Sequence, residues 1–187
     1  GSVTLDGTLA TYTPATNYNG DDSFTFIVSD GVLSDTATVS ITVNTINDAP
    51  VLASVSDVSF DEDESGLVSL SASDVDADDL TFSITGGSDI VATLDGSDVS
   101  FSAPTDFNGS ETFTVSVSDG EYTDSQSITV TVNAINDAPV ATTGLTAITD
   151  EDQSVVVSLS GSDIDGDNLT FSLLSDATNG SVTIDGS

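Results

Sequence analysis

Apolar and polar residues alternate in short runs along the whole chain. Phe24, Phe26 and Val28 occupy every second position, as do Val39, Ile41 and Val43 after the turn at Ser29-Asp30-Gly31. A period of two is that of a strand with one face turned to a core, so these runs predict a hairpin. Further on, Val68, Leu70 and Ala72 form one such face and Leu80, Phe82 and Ile84 another. Weaker strands are predicted at 91–94 and 99–103, then strong ones at Phe113, Val115 and Val117 and at Ile128, Val130 and Val132. The residues Val155, Val157 and Leu159, then Leu169, Phe171 and Leu173, read the same way. No 3.6-residue periodicity is sustained, and the abundance of β-branched Val and Thr favours strands over helices.

These runs keep a common phase. Ile46-Asn47-Asp48-Ala49-Pro50 returns as Ile135-Asn136-Asp137-Ala138-Pro139, a displacement of 89 residues. Asp61-Glu62-Asp63 returns as Asp150-Glu151-Asp152, Asp74-Val75-Asp76 as Asp163-Ile164-Asp165, and Ser29-Asp30-Gly31 as Ser118-Asp119-Gly120. A unit of this length is a small domain with its own core, not a solenoid coil. About seven strands per unit, with turn signals every 8 to 12 residues, predict an antiparallel β-sandwich. Asn-Asp-Ala-Pro suits a joint, because proline fixes φ and pushes the residue before it into an extended conformation. The expected organisation is therefore the later half of a repeat at 1–49, a complete repeat at 50–138, and the earlier half of another at 139–187. The closing Gly180-Ser181-Val182-Thr183-Ile184-Asp185-Gly186 nearly duplicates the opening Gly1 to Gly7. Either the chain is a window on a longer array, which we favour, or the tail of one copy completes the head of the next.

Composition narrows the chemistry sharply. The 187 residues hold 32 Asp plus Glu and no Lys, Arg, His, Cys, Met or Trp. Nucleophilic triads that need His or Cys are excluded, as are the usual zinc sites. With no basic residue to meet a phosphate, nucleic acid is not an expected partner. No apolar run approaches the roughly 18 residues of a membrane span, so direct membrane insertion is not expected, and no signal peptide is read. Carboxylate pairs could in principle hydrolyse glycosides, but no long loops build a pocket, and an enzyme is not expected. A net charge of −32 opposes compaction unless cations neutralise it. A solvated acidic surface suited to salty water is one reading, and a cation site is the other. Asp outnumbers Glu 27 to 5 and falls in groups at repeated positions, which favours the cation site.

The loops Asp74-Val75-Asp76-Ala77-Asp78-Asp79 and Asp163-Ile164-Asp165-Gly166-Asp167-Asn168 place carboxylates at alternate positions. Calcium takes six to eight oxygens in irregular geometry, which short Asp side chains on a turn can supply. Neither loop is an EF-hand, because Asp79 and Asn168 stand where that motif needs glycine. Taken together, Glu62 within Asp61-Glu62-Asp63, Asp74 with Asp76, Glu111, Asp119, and Asn136 with Asp137 resemble, in order and spacing, the calcium motifs of the cadherin superfamily. The likeness is to the cadherin-like tandem repeats of large bacterial surface proteins. Thr45 and Ala49 depart from that pattern, standing where the cadherin linker carries an acidic residue and an Asn.

The resemblance implies an all-β fold of tandem Greek-key antiparallel β-sandwiches, cadherin/Ig-like and joined end to end, with Ca2+ at the joints. Carried over residue by residue, it implies that the first joint uses Asp22, Asn47, Asp48, Asp74, Asp76 and Asp119. The second would use Glu62, Glu111, Asn136, Asp137, Asp163 and Asp165. Plainer readings stand beside these: Asn47 and Asn136 as turn amides, Asp119 as a hairpin residue before glycine, and Tyr12, Phe24, Phe101 and Phe113 as core. The Asn-Gly-Ser triplets at Asn108 and Asn179 match a glycosylation acceptor, a pattern that also arises by chance. The expected function is a calcium-rigidified extender in an adhesin-like or filament protein, extracellular or at a microbial cell surface. Its expected partners are calcium ions and neighbouring repeats or copies of itself. A module binding a surface polysaccharide or protein, or a homophilic contact surface, is the alternative, though the lack of Trp argues against an aromatic sugar platform.

Overall fold

A computed structural model describes residues 1–185; Gly186 and Ser187, which end the predicted third segment, lie outside it. Strands and loops account for all described residues, with no helix among them. In chain order the first four strands are β1 (Ser2–Asp6), β2 (Leu9–Thr13), β3 (Gly20–Ser29) and β4 (Ser34–Val43). The middle region follows with β5 (Val51–Leu52), β6 (Val58–Asp61), β7 (Ser65–Ser69), β8 (Ala72–Ser73) and β9 (Thr81–Gly86). It continues through β10 (Val91–Asp95), β11 (Asp98–Ser102), β12 (Gly109–Ser118) and β13 (Thr123–Asn133). Two short strands, β14 (Val140–Ala141) and β15 (Gly161–Ser162), complete the set.

The middle region is a sandwich. One sheet has the order β10-β11-β7 and the other β6-β13-β12-β9. The chain leaves the four-stranded sheet after β9, runs β10 and β11 in the opposite sheet, and returns as β12 beside β9. Alternation does what the pattern predicted: Phe113, Val115 and Val117 of β12 and Ile128, Val130 and Val132 of β13 are buried, against Val99 and Phe101 of β11. The rings of Phe101 and Phe113 meet edge to face across the two sheets, their centroids 5.2 Å apart and their planes at 70°, the geometry the aromatic quadrupole prefers. Among the described residues, every buried hydrophobic side chain of the core lies between Leu52 and Val132.

Three details depart from the sequence reading. The run Val68, Leu70, Ala72 is not one strand: β7 ends at Ser69, and β8 pairs with β5 instead of with β11. The backbone changes sheets there, with Leu70 N–H donating to Ser97 O at 2.7 Å and Ala53 N–H to Ser71 O at 2.9 Å. Strand β6, too short to show a pattern, pairs parallel with β13, whereas every other described pairing is antiparallel. Residues 155–159 and 169–173 form no ladder. Their counterparts β7 and β9 pair with β11 and β12, and the 187 residues contain no third copy of β12 to receive them. A strand without a neighbour leaves its backbone donors and acceptors to water.

The same logic governs residues 1–44. Strands β3 and β4 pair in the register of β12 and β13, Phe24 opposite Val39 as Phe113 is opposite Ile128. No second sheet covers them, so Phe26 is 46% exposed where its counterpart Val115 is fully buried. Phe113→Ala should therefore cost about 3–5 kcal/mol of the stability of the middle sandwich. Phe26→Ala should change it by less than about 1 kcal/mol. Urea unfolding followed by far-ultraviolet circular dichroism separates the two outcomes.

Candidate functional site

At the first joint, the linker after β4 contacts the middle sandwich through two carboxylates. Asn47 Nδ2 donates to Asp119 Oδ2 at 2.8 Å, and Asp48 N–H donates to Asp76 Oδ2 at 2.8 Å. The loop holding Asp76 is a tight turn in which Asp76 N–H returns to Asp74 Oδ1 at 2.8 Å and Ala77 takes a left-handed φ of 64°. One carboxylate oxygen from each of Asp74, Asp76 and Asp78 lies within 4.8 Å of the others. Asp74 Oδ2 is buried with no hydrogen-bond partner. Burial, followed by the charges of Asp74, Asp76, Asp119 and Asp79, pushes the Asp78 carboxyl above the usual range. Asp119 moves the other way, held down chiefly by the Tyr122 N–H.

The second joint repeats this construction. Asp137 N–H donates to Asp165 Oδ2 at 2.7 Å, matching the Asp48 to Asp76 bond one period earlier. Here the preceding sandwich also contributes: Glu62, only 5% exposed, accepts the Ile135 N–H through Oε1, while its Oε2 has no partner. Glu62, Asp137 and Asp165 bring one oxygen each within 4.8 Å. The Asp137 carboxyl is pushed up by burial first, then by Asp106, Asp165, Glu62 and Asp63. Asp163 accepts the Asp167 N–H at 3.1 Å, and Asn136 Nδ2 donates to the Asp137 carbonyl at 2.9 Å as a turn amide would.

Two expected ligands stand apart from these clusters. Asp22, on β3, accepts the Tyr12 hydroxyl at 2.7 Å and the Ser23 N–H at 2.8 Å, so both its oxygens are engaged inside the N-terminal hairpins. Glu111, on β12, accepts Ser88 N–H at 2.8 Å, Ser88 Oγ at 2.6 Å, and the N–H groups of Asp89 and Ile90 at 3.1 Å. It clasps the loop after β9, where Gly87 takes φ +74 beneath the Phe113 ring. Conversely, Asp78, Asp63 and Asp106 belong to the charged clusters although they stand outside the ligand sets that the resemblance implies. A signal existed in the repeat phase: Asp106 corresponds to Asn17, Asp63 to Asp152 and Ala77 to Gly166. Each pair shares a left-handed backbone, with φ of 57° and 56°, 64° and 62°, and 64° and 77°.

Each joint therefore concentrates carboxylates that have no cationic side chain to meet them, since the chain has none. Oxygen-only donor sets with an orphaned buried oxygen suit a hard divalent cation of calcium's size. A sequence model of the bacterial Ig domain matches residues 47–131 and again 136–187. The chain belongs to the bacterial Ig domain family. Both matches of this bacterial Ig model begin at the Asn of a joint, and a cadherin-like domain model matches residues 1–44. The matching models are those of structural domains, typical of surface proteins. The integrin beta-like protein A of Dictyostelium discoideum is 31% identical over 195 residues, covering 86% of this chain. The chain spans only 10% of the length of that relative. Among solved structures, the EC1-2 fragment of human protocadherin-24 is similar at 23% identity and a TM-score of 0.42, over 63% of this chain and 62% of that one. An endo-fucoidan hydrolase of glycoside hydrolase family 107 is similar at 25% identity and a TM-score of 0.37, over 71% of this chain and 22% of that one.

Glu111 offers a test of its structural role in this bacterial Ig sandwich. Its hydrogen bonds, that from the Ser88 hydroxyl foremost, lower its carboxyl to about 2 from an ordinary value of 4.5. Because the folded value is the lower one, its contribution is complete above the unfolded value and is lost as pH falls through about 2. Glu111→Gln should lower stability by about 1–2 kcal/mol near neutral pH. The gap from the parent should close as urea melts are repeated at successively lower pH below 4.5.

Proposed function

We propose that this chain is a stretch of an extracellular rod in which calcium stiffens the joints between successive bacterial Ig repeats. The observation that carries this reading is Glu62. A carboxylate buried to within 5% of full coverage, with one oxygen unpartnered and Asp137 and Asp165 beside it, is costly without a countercharge. No residue of the chain can supply one. Calcium, which accepts carboxylate and carbonyl oxygens in flexible numbers, would satisfy all three at once.

On this reading Glu62, Asp137 and Asp165 hold the ion at the second joint, with Asp63, Asp106 and Asp163 beside them. At the first, Asp74, Asp76 and Asp78 hold it, with Asn47, Asp48 and Asp119 adjoining. The domains divide at the two Asn-Asp-Ala-Pro joints, into 1–49, 50–138 and 139–187. A cation shared between a linker and the sandwiches on either side removes bending freedom, because the linker N–H groups already dock on the same carboxylates. An adhesin or filament that must project its far end from a cell surface has use for such a rod.

Millimolar calcium should raise the melting temperature and extend the scattering profile relative to chelator at equal ionic strength. With a Kd near 10⁻⁴ M, typical of extracellular modules, ten-millimolar calcium stabilises by about 2.7 kcal/mol. In calorimetric titration, Asp76→Ala should abolish heat from one site and Asp165→Ala heat from the other. Loss of the same site in both variants, or no heat from the parent chain, would refute the assignment.

A further inference from the structure

We propose that Asn179 is the site at which this chain spontaneously deamidates, and that the fold withholds the same reaction from the two other Asn-Gly pairs, Asn19-Gly20 and Asn108-Gly109. In such a pair the backbone nitrogen of the glycine attacks the asparagine Cγ. The N–Cγ bond forms, the Cγ–Nδ2 bond breaks, and Nδ2 leaves as ammonia with the proton from the glycine nitrogen. Water then opens the resulting succinimide at either carbonyl and gives aspartate or isoaspartate, so the net change is water in and ammonia out. Glycine favours the step because no Cβ hinders the turn of its peptide toward the side chain. In this respect the sequence makes the three pairs equal, and all three asparagines are exposed. Backbone freedom is what distinguishes them.

Asn108 has the least. Gly109 opens β12 opposite Val132, and the next pair along is tied by Ser110 Oγ and Thr131 Oγ1 at 2.9 Å. A Cβ built on Gly109 would lie 3.3 Å from Cζ of Phe107, so an aromatic ring rests against the glycine from the preceding turn. Asn19 repeats this arrangement one period earlier with weaker cover. Gly20 opens β3 opposite Val43, and Thr42 Oγ1 donates to Asp21 Oδ1 at 3.0 Å. Tyr18 takes the place of Phe107, its hydroxyl 3.9 Å from where a Gly20 Cβ would stand. The sheet of β3 and β4 has two strands, whereas β12 lies inside a sheet of four. Asn179 belongs to no ladder. Asp176 Oδ1 accepts the N–H groups of Ala177 at 2.8 Å and Val182 at 2.9 Å, which closes a loop at its base and leaves Thr178, Asn179 and Gly180 at its tip. Nothing lies within 4 Å of a Cβ built on Gly180. Attack within a ladder must wait for local opening, and at the loop tip it need not. The consequences differ as well. An isoaspartate at Asn108 would lengthen the main chain at the entry to an interior strand, whereas at Asn179 the reaction adds a carboxylate to an exposed loop.

The test incubates the full chain at mildly alkaline pH, which deprotonates more of the attacking nitrogen. Each pair is followed by mass spectrometry of peptic fragments, since trypsin has no Lys or Arg to cut. Asn179 should exchange NH for O roughly tenfold faster than Asn108, with Asn19 between them. In urea the three rates should converge, because the unfolded chain keeps the sequence and loses the ladders. Gly180→Ala, for which the loop has room, should slow Asn179 severalfold and leave the other two unchanged. The proposal fails if Asn108 or Asn19 converts as fast as Asn179 in the native chain, or if the spread of rates survives in urea. It fails equally if Gly180→Ala leaves Asn179 as fast as before.

Discussion

Thirty-two carboxylates share this chain with no lysine, arginine or histidine, so every buried or half-buried acid must be answered by a backbone N–H, a hydroxyl, an amide or something from outside. Much of the architecture follows from that shortage. Asp30 takes the N–H groups of Leu33 and Val32, which hold its carboxyl below the usual range, and Asp119 does the same with Tyr122 and Glu121. Asp57, Asp124 and Glu111 spend their oxygens in the same manner on strand edges and loops. Hydrogen bonds to an ionised acceptor are stronger than neutral ones, so an acidic chain can use its own charge as structural material wherever donors are in reach.

Donors run out at the joints. The linker offers one N–H to Asp76 and one to Asp165, and Ile135 offers one to Glu62, yet Asp74 Oδ2 and Glu62 Oε2 remain without partners. The contrast between Glu62 and Glu111 is instructive. Both are half-buried or buried glutamates beside strands of the same sandwich, but four donors surround Glu111 and only one reaches Glu62. Glu111 is complete within the protein, whereas Glu62 keeps one oxygen without a partner. The first and last segments of the sandwich meet at that same end, so the parallel pairing of β6 with β13 and the acidic cluster share Glu62: its N–H belongs to one and its free oxygen to the other.

How much of this was legible in the sequence depended on the range of the interaction concerned. The 89-residue phase, the all-β class, the β3–β4 and β12–β13 hairpins and the buried faces of Phe113 and Ile128 were all readable, because alternation and turn residues report on neighbours a few positions away. Asp74, Asp76 and Asp165 were readable as candidate ligands from their grouping, and Asp137 only through the cadherin resemblance. The break between β7 and β8 was not, since Leu70 keeps the alternating pattern while its N–H bonds to Ser97 in the turn between β10 and β11. Nor was the parallel seating of β6, which rests on contacts about 72 residues distant.

Local chemistry thus determined what each stretch could become: strand, turn or acidic loop, repeated in phase. Which carboxylates would be satisfied was left to tertiary structure. Glu111 stands alone on a strand and Glu62 in the acidic run Asp61-Glu62-Asp63-Glu64, yet nothing in their neighbours along the chain tells that one will face three consecutive N–H groups and the other a pair of aspartates. Asp106 and Asp63 likewise joined the second joint only through the fold, which carries residues 62, 106, 137 and 165 to one end of the sandwich. A carboxylate's role depends on the donors and charges within a few ångströms of it, and in a β-sandwich those come from strands far apart in sequence.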